Sequence, residues 1–269
     1  MRARALVVAE CRDGRTVLRE LRSMSPLTLV PKRGSNTVHL VNSASAPLGG
    51  DELTLSVRVG AGARLRLAGV AATLALPGPR AGGSVSTVDI EVGSGGALEY
   101  LPEPTVITAR ARHTAELVAS LAPDARLRAR EVLVLGRSGE SPGRLRTTQR
   151  IVRAGVPLLH QTLSIGDPAV DRSLAHLAGR RVLATELLVW GDDGKEPVSG
   201  DWWSLTPLAA GGSLITSLAT DAIVAERDLD HARDLHPGWS LLARGERDPR
   251  ATGVSCLTVR RVSPPDDRP

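Results

Sequence analysis

Residues Val92–Pro104 read VGSGGALEYLPEP. The first half places a glycine turn between two segments that alternate apolar and polar side chains, the period of a half-buried strand. The same unit aligns without gaps at Val59–Ala68 (VGAGARLRLA) and at Leu121–Arg130 (LAPDARLRAR), with Val92–Leu101 between them. Strand-turn-strand copies about 30 residues apart cannot bury their faces alone, so they predict a stack of β-coils sharing one core. The flanking alternation must keep register as well as the turn, which separates this pattern from a common hairpin loop. Only the middle copy runs on into Leu101-Pro102-Glu103-Pro104. The repeat reports on the fold, and the departure from it points to function.

The rest of the chain agrees with a mainly β protein. Its 269 residues contain no Phe and one Tyr, so the core is built from Leu, Val, Ala and Ile, which suit thin β-layers. Short strands are predicted at residues 3–9, 16–21, 26–30 and 37–41, and Gly49-Gly50-Asp51 supplies a positive-φ turn before Leu53, Leu55, Val57 and Val59 form one strand face. A weaker fourth copy of the repeat opens at Leu208 (LAAGGSLIT). Two helices are predicted. One starts at Asp167-Pro168 and closes at Gly179, and the other runs from Asp221 to about Leu235, ended by Pro237-Gly238. Residues 181–190 and 254–262 read as further strands. No linker divides the chain, so one domain is expected over residues 1–263, with a disordered proline-rich tail at 264–269.

Several classes of function are disfavoured. There is no GxxxxGK[ST] phosphate loop, GRSGE at Gly136–Glu140 is not a nucleophile elbow, and the histidines form no HExxH motif. Cys11 and Cys256 are far apart and match no metal spacing. The N-terminus lacks a signal peptide and no segment has the roughly 18 apolar residues of a membrane span, so a cytoplasmic protein is expected. The net charge of +5 comes almost wholly from arginine and follows a compositional bias. Aromatic stacking platforms for nucleic acid are scarce.

Three features carry candidate chemistry. Glu99 and Glu103 flank Tyr100-Leu101-Pro102, and the two prolines make a stiff acidic kink that serves either as a docking feature or as a strand-ending turn. ERDLDHARDLH, from Glu226 to His236, gathers Asp230, His231, Asp234 and His236. These are either a weak divalent-metal site or a charge-laced solvated helix surface. Trp202-Trp203 on a strand would put one ring inward and one outward, the latter available to an interface.

Taken together, the motifs resemble those of the urease accessory protein UreD (UreH) family, in family order over most of the chain. They are Gly14-Arg15-Thr16 with Ser25-Pro26-Leu27, then Pro47-Leu48-Gly49-Gly50-Asp51 and the V-x-x-G-A-x-L turn. Tyr100-Leu101-Pro102-Glu103-Pro104, Leu135-Gly136-Arg137 with Gly139-Glu140, and Arg153–Leu159 follow. Ala46-Pro47 stands where the family usually has two glycines, and a threonine-rich segment is reduced to Ala71-Ala72-Thr73-Leu74.

The resemblance implies a non-enzymatic scaffold for urease maturation. Such a protein binds UreF, recruits the GTPase UreG through it, docks on the urease apoprotein and enables nickel insertion. It implies no tightly bound cofactor, only transient nickel, and leaves room for a dimer within the accessory complex. On this reading Asp51, Glu99, Glu103 and Glu140 are candidate nickel-path or docking carboxylates, and Tyr100, Pro102, Pro104, Gly136 and Arg137 form the motif loops. No membrane or nucleic-acid partner is implied. A carbohydrate-active β-helix and a basic nucleic-acid-binding β-protein are the competing readings, and neither accounts for the order of LPEP and LGR…GE.

Overall fold

The computed structural model describes residues 1–78 and 82–239. The strand expected at 254–262, the tail at 264–269 and Cys256 lie outside the described residues. The chain opens with two antiparallel hairpins, β1 (Arg2–Arg12) with β2 (Arg15–Arg22) and β3 (Leu27–Pro31) with β4 (Thr37–Asn42). It then winds as a coil. β5 (Glu52–Val59) lies in one sheet and β6 (Arg64–Gly69) with β7 (Thr73–Ala75) in the other. β8 (Ser84–Val92) returns to the first sheet, followed by β9 (Ala97–Leu101) and β10 (Thr105–Ile107) in the second. β11 (Arg112–Leu121), β12 (Arg126–Leu135) and β13 (Arg144–Arg153) repeat the alternation. β14 (Val156–Ile165) closes the first sheet. After α1 (Pro168–Asp171), β15 (Val182–Val189), β16 (Val198–Ser199), β17 (Trp203–Pro207) and β18 (Ser213–Ala219) extend the second, and α2 (Ala222–Asp234) packs on it.

The protein is thus mainly β, a solenoid of two stacked sheets. The seven-stranded sheet has the order β14-β13-β11-β8-β5-β1-β2, with parallel pairing from β1 through β13. The longer sheet runs parallel from β4 through β6, β9 and β12 and then becomes antiparallel through β15, β18, β17 and β16.

The three repeat copies are the three turns that join the sheets. Each closes on the same bond, Ala63 N to Gly60 O (3.1 Å), Gly96 N to Gly93 O (2.9 Å) and Ala125 N to Ala122 O (3.1 Å). They also bond to one another, Gly93 N to Val59 O (2.8 Å) and Ala122 N to Val92 O (2.9 Å), which leaves few backbone groups of the turns unpaired. Gly62 and Gly95 hold left-handed φ values of 66° and 64°, a conformation that costs glycine little. The segment at Leu208 differs. It is the antiparallel connection between β17 and β18, closed by Leu208 N to Gly212 O (2.8 Å), and adds no coil to the stack.

The alternation read from the repeats decides what is buried. Leu65 and Leu67, Leu98 and Tyr100, and Leu127 and Ala129 all point between the sheets, against Leu53, Leu55, Val57 and Val59. Each fully buried leucine stabilises by about 2 kcal/mol. The antiparallel half of the longer sheet has a second apolar face. There Val132, Ala184, Leu188 and Ile215 meet Ala225, Leu229 and Ala232 of α2, so every residue of β15 is buried. α2 begins at the expected cap, where Asp221 accepts a bond from Val224 N at 3.0 Å. α1 has the expected Asp167 cap and Pro168 but stops after four residues. Asp171 accepts a bond from Gly166 N, and the chain to Gly179 continues as turns rather than as helix.

The parallel coils approach closely where β6 ends. A Cβ placed on Gly69 would stand 2.5 Å from Glu103 N and 2.9 Å from Glu103 Cγ. Gly69 has ordinary φ, so Gly69→Ala tests packing alone. It is expected to lower the urea-unfolding free energy by about 2 kcal/mol or more, because the Pro102–Pro104 backbone must shift.

Candidate functional site

LPEP is the place where the second coil breaks. β9 pairs with Arg126–Ala129 of β12, and β10 pairs with Leu133–Leu135 of the same strand. Pro102, Glu103 and Pro104 between them belong to neither ladder, as two residues without N–H donors require. The coil before it breaks at the same height, between β6 and β7, and Thr73 N donates to Pro104 O at 2.9 Å. The second family motif lies directly beyond. β10 is in register with the end of β12, and Gly136 N donates to Ile107 O at 3.0 Å. Motifs separated in sequence are thus one backbone ladder apart. In the Leu135–Glu140 turn, Arg137 Nε and Nη2 clasp the two oxygens of Glu140, each at 3.0 Å, and Arg137 N bonds the same carboxylate at 3.0 Å. These bonds depress the Glu140 pKa to about 2. Arg181 bonds the carbonyls of Gly136 and Arg137.

Beneath the break, small residues leave the inter-sheet core incompletely filled. A cavity of about 160 Å³ is lined by Tyr100, Glu103, His113, Glu131 and Gln149, with Arg130, Glu116 and both apolar and small polar residues around them. Glu131 sits inside, where both Thr147 Oγ1 (2.9 Å) and Gln149 Nε2 (3.2 Å) donate to it. Burial raises its pKa, and these donors lower it only in part. Tyr100 is raised well above the usual phenol range by burial and by the nearby Glu131. Burial pushes His113 down to about 4, although its Nδ1 lies 2.9 Å from Ser84 Oγ. Of the four carboxylates picked out in the sequence, Glu103 alone lines this cavity. His113, Glu131 and Gln149 were not singled out in the sequence. Their signal was polar residues on the inward-facing positions of otherwise apolar alternating strands.

The other candidates have neighbours of their own. Asp51 is buried, bonded to Leu48 N at 2.8 Å and to the Met1 ammonium. Glu99 faces away from the core, in register between Arg66 and Arg128 on adjacent parallel strands. Arg128 bonds Glu99 at 3.0 Å and then clasps Glu186 with Nε and Nη2, both at 3.0 Å. Arg233 of α2 reaches Glu186 at 3.4 Å and Asp230 at 2.7 Å, and both arginines pack on the Trp239 ring. Glu186 is the single charge in the strand VLATELLV and is wholly buried. That lone acid in an apolar strand was the legible sign of the network.

The acidic and histidine candidates on α2 do not converge. Asp230 is held by Arg233, His231 packs edge-on to Trp203 at 5.2 Å, and buried His236 lies 3.2 Å from Asp193. Asp234 is exposed near the helix end. Among the described residues no group of three or more His, Cys, Asp or Glu side chains is arranged to hold a metal ion. Trp203 is half-buried, whereas Trp202 is exposed under Arg180, whose guanidinium stands 3.6 Å from the ring centre. No helix among the described residues is long and apolar enough to cross a membrane.

Comparison with known proteins supplies the class. A family model described as UreD urease accessory protein matches residues 1–251. The chain is 54% identical to urease accessory protein UreD 1 of Saccharopolyspora erythraea, over 91% of this chain and 99% of that one. It is 41% identical to urease accessory protein UreD of Parafrankia sp., over 86% and 87%. The UreD of Streptomyces coelicolor is 38% identical over 86% and 95%. The chain belongs to the UreD family of urease accessory proteins.

Two stability predictions follow from the site's electrostatics. Arg128→Ala leaves Glu186 buried beside Arg233 alone and is expected to cost about 3–5 kcal/mol in urea unfolding, whereas the joint Arg128→Met/Glu186→Leu change costs much less. His113, with its pKa lowered in the fold from 6.5 to about 4, binds its proton more readily when unfolded. Its contribution is present above pH 6.5 and is lost as pH falls towards 4, by up to about 3 kcal/mol. Unfolding of wild type and His113→Gln across that window is expected to show the fall in the former relative to the latter.

Proposed function

We propose that this protein acts in urease maturation as a non-enzymatic scaffold that binds UreF, recruits the GTPase UreG through it and docks on the urease apoprotein so that nickel can be inserted. The observation that carries the reading is the UreD family match over residues 1–251, supported by relatives that align along nearly their whole length. On this reading nickel is cargo, held transiently, and the protein keeps no tightly bound cofactor. It works in the cytoplasm, where urease is assembled, and the accessory complex has room for a dimer of it.

The geometry favours Glu103 as the carboxylate to test first. It stands at the break in the second coil, over a cavity that Tyr100 and Glu131 also line. Carboxylate oxygens bind nickel less tightly than imidazole or thiolate, and a passage needs ligands that release the ion. Asp51, Glu99 and Glu140 belong to the same proposal as docking or path residues, with their charges already engaged by an ammonium, by arginines or by a turn.

The test is deletion of the gene in its own host, followed by assay of urease activity and urease nickel content. Little activity and little nickel are expected, both restored by the wild-type gene. Glu103→Ala is expected to restore them several-fold less well while still co-purifying with UreF, and alanine at Asp51, Glu99, Glu103 and Glu140 together still less. Fully active, nickel-loaded urease in the deletion strain overturns the role, and full rescue by the fourfold variant overturns the path.

A further inference from the structure

The seven-stranded sheet ends in two unlike edges. At one end β2, RTVLRELR, carries four charges, which guard an edge against pairing. At the other end β14, VPLLHQTLSI, spans ten residues without an acid, a lysine or an arginine. His160, Gln161 and Thr162 at its centre are exposed. Its ends are occupied, by Pro157 at the register shift against β13 and by His176 Nε2 on Ser164 O at 3.1 Å. The stretch between is long enough to take a further strand, and among the described residues no strand pairs with its outer edge.

A second observation, independent of the first, concerns charge. On the outer face of β13, next to β14, Arg144, Arg146 and Arg150 are exposed, and Arg112 stands in register with Arg144 on β11. Among the described residues none of these four makes an ion pair. Arg150 bonds the His160 ring instead, at 3.3 Å. Elsewhere on the same sheet Arg4, Arg15 and Arg19, near the charge-guarded edge β2, also make no ion pair among the described residues, but other arginines do. Arg2 meets Glu52 at 2.9 Å, Arg58 meets Asp89 at 2.8 Å and Glu91 at 3.1 Å, and Arg12 and Arg22 pair with Glu10 and Glu20. Like charges in register on neighbouring strands are destabilising. Here they collect beside the one long uncharged edge.

We propose that β14 is a docking edge, to which an extended acidic segment of a partner protein adds as a further strand with carboxylates at alternate positions turned towards Arg144, Arg146 and Arg150. Main-chain bonds to β14 would supply affinity, and the side chains would set specificity. Alternate residues of an added strand lie about 6.6 Å apart, the spacing of Arg144 and Arg146 themselves. The added strand would lie about 9.5 Å from β13, a gap that extended arginine and glutamate side chains bridge together. Charge decides against the other occupants. A second copy of this chain would bring two arginine rows together across the edge. The chain's own 254–262 stretch carries Arg260 and Arg261 and no acid. β11, β13 and β14 bear no Tyr or Trp on which bases could stack. The proposal does not rest on the nickel reading.

The test uses the full chain and a labelled octapeptide of alternating glutamate and valine, with fluorescence anisotropy for affinity and amide hydrogen exchange for location. Binding is expected to slow exchange within residues 156–165. It is expected to weaken at least about tenfold in Arg144→Glu/Arg146→Glu/Arg150→Glu, from the loss of three exposed charge pairs. The same charge change at Arg4, Arg15 and Arg19, near the opposite edge, is expected to leave affinity within about threefold. A glutamine version of the first variant gives the same reading if the glutamates disturb folding. Equal loss in both variants, exchange protection elsewhere, equal binding of a lysine-valine octapeptide, or tighter binding of oligouridine each overturns the proposal. So does self-association that protects β14 without peptide.

Discussion

The bond from Gly93 N to Val59 O, repeated one coil later from Ala122 N to Val92 O, is the constraint on which the rest depends. It sets the three turns directly over one another. Once the turns are stacked, the strands leaving them are parallel and in register, and the alternation along each strand sends the same positions inward in every coil. Leu65, Leu98 and Leu127 then form one buried row, while Arg66, Glu99 and Arg128 form another on the opposite face. A slip of one residue in a turn would turn that coil's leucine outward and send its charged neighbour between the sheets. Backbone hydrogen bonding and hydrophobic burial therefore select the same register.

This redundancy explains why the fold was legible in the sequence. Val-Gly-x-Gly recurs with its flanking alternation, and both parts survive in LAPDAR although its glycines do not. The Leu208 segment shows the limit of that reading. Leu-Ala-Ala-Gly-Gly has the local chemistry of the turn, yet its flanks lie antiparallel in a hairpin, because a turn motif encodes a reversal and not its handedness or its partner. The overlong first helix has a similar cause. Asp167 and Pro168 are sound start signals, but Asp171 bonds Gly166 N and the turn chemistry that follows wins over propensity.

The site was less legible than the fold. LPEP and LGR…GE could be read as motifs, but not as neighbours, because their adjacency arises from the β10–β12 ladder. The network of Arg128, Glu186 and Arg233 joins strands and a helix far apart in sequence, so no local pattern announces it beyond one acid in an apolar strand. Its energetic role is specificity as much as strength. A buried pair repays its desolvation only with good geometry, and the two parallel 3.0 Å bonds of Arg128 to Glu186 provide that geometry. Arg233 then reaches the same carboxylate from α2, which ties the helix to β15 by a charge as well as by its apolar face.

The same accounting separates the acidic residues by what they are free to do. Glu99 and Glu140 face arginine, Glu186 faces two, and Glu131 is buried with its oxygens already accepting bonds. A carboxylate held by arginine has little negative charge left for a passing cation, and a buried one with a raised pKa must lose its proton before it can bind one. Glu103 differs on both counts. It is half-buried, it stands where the prolines take its own backbone out of the ladder, and it lines the cavity. The kink that ends the repeat is therefore what frees a carboxylate from the ladder of charge pairs. A regular coil would have aligned that position with its neighbours above and below, as it aligned Glu99 with Arg66 and Arg128.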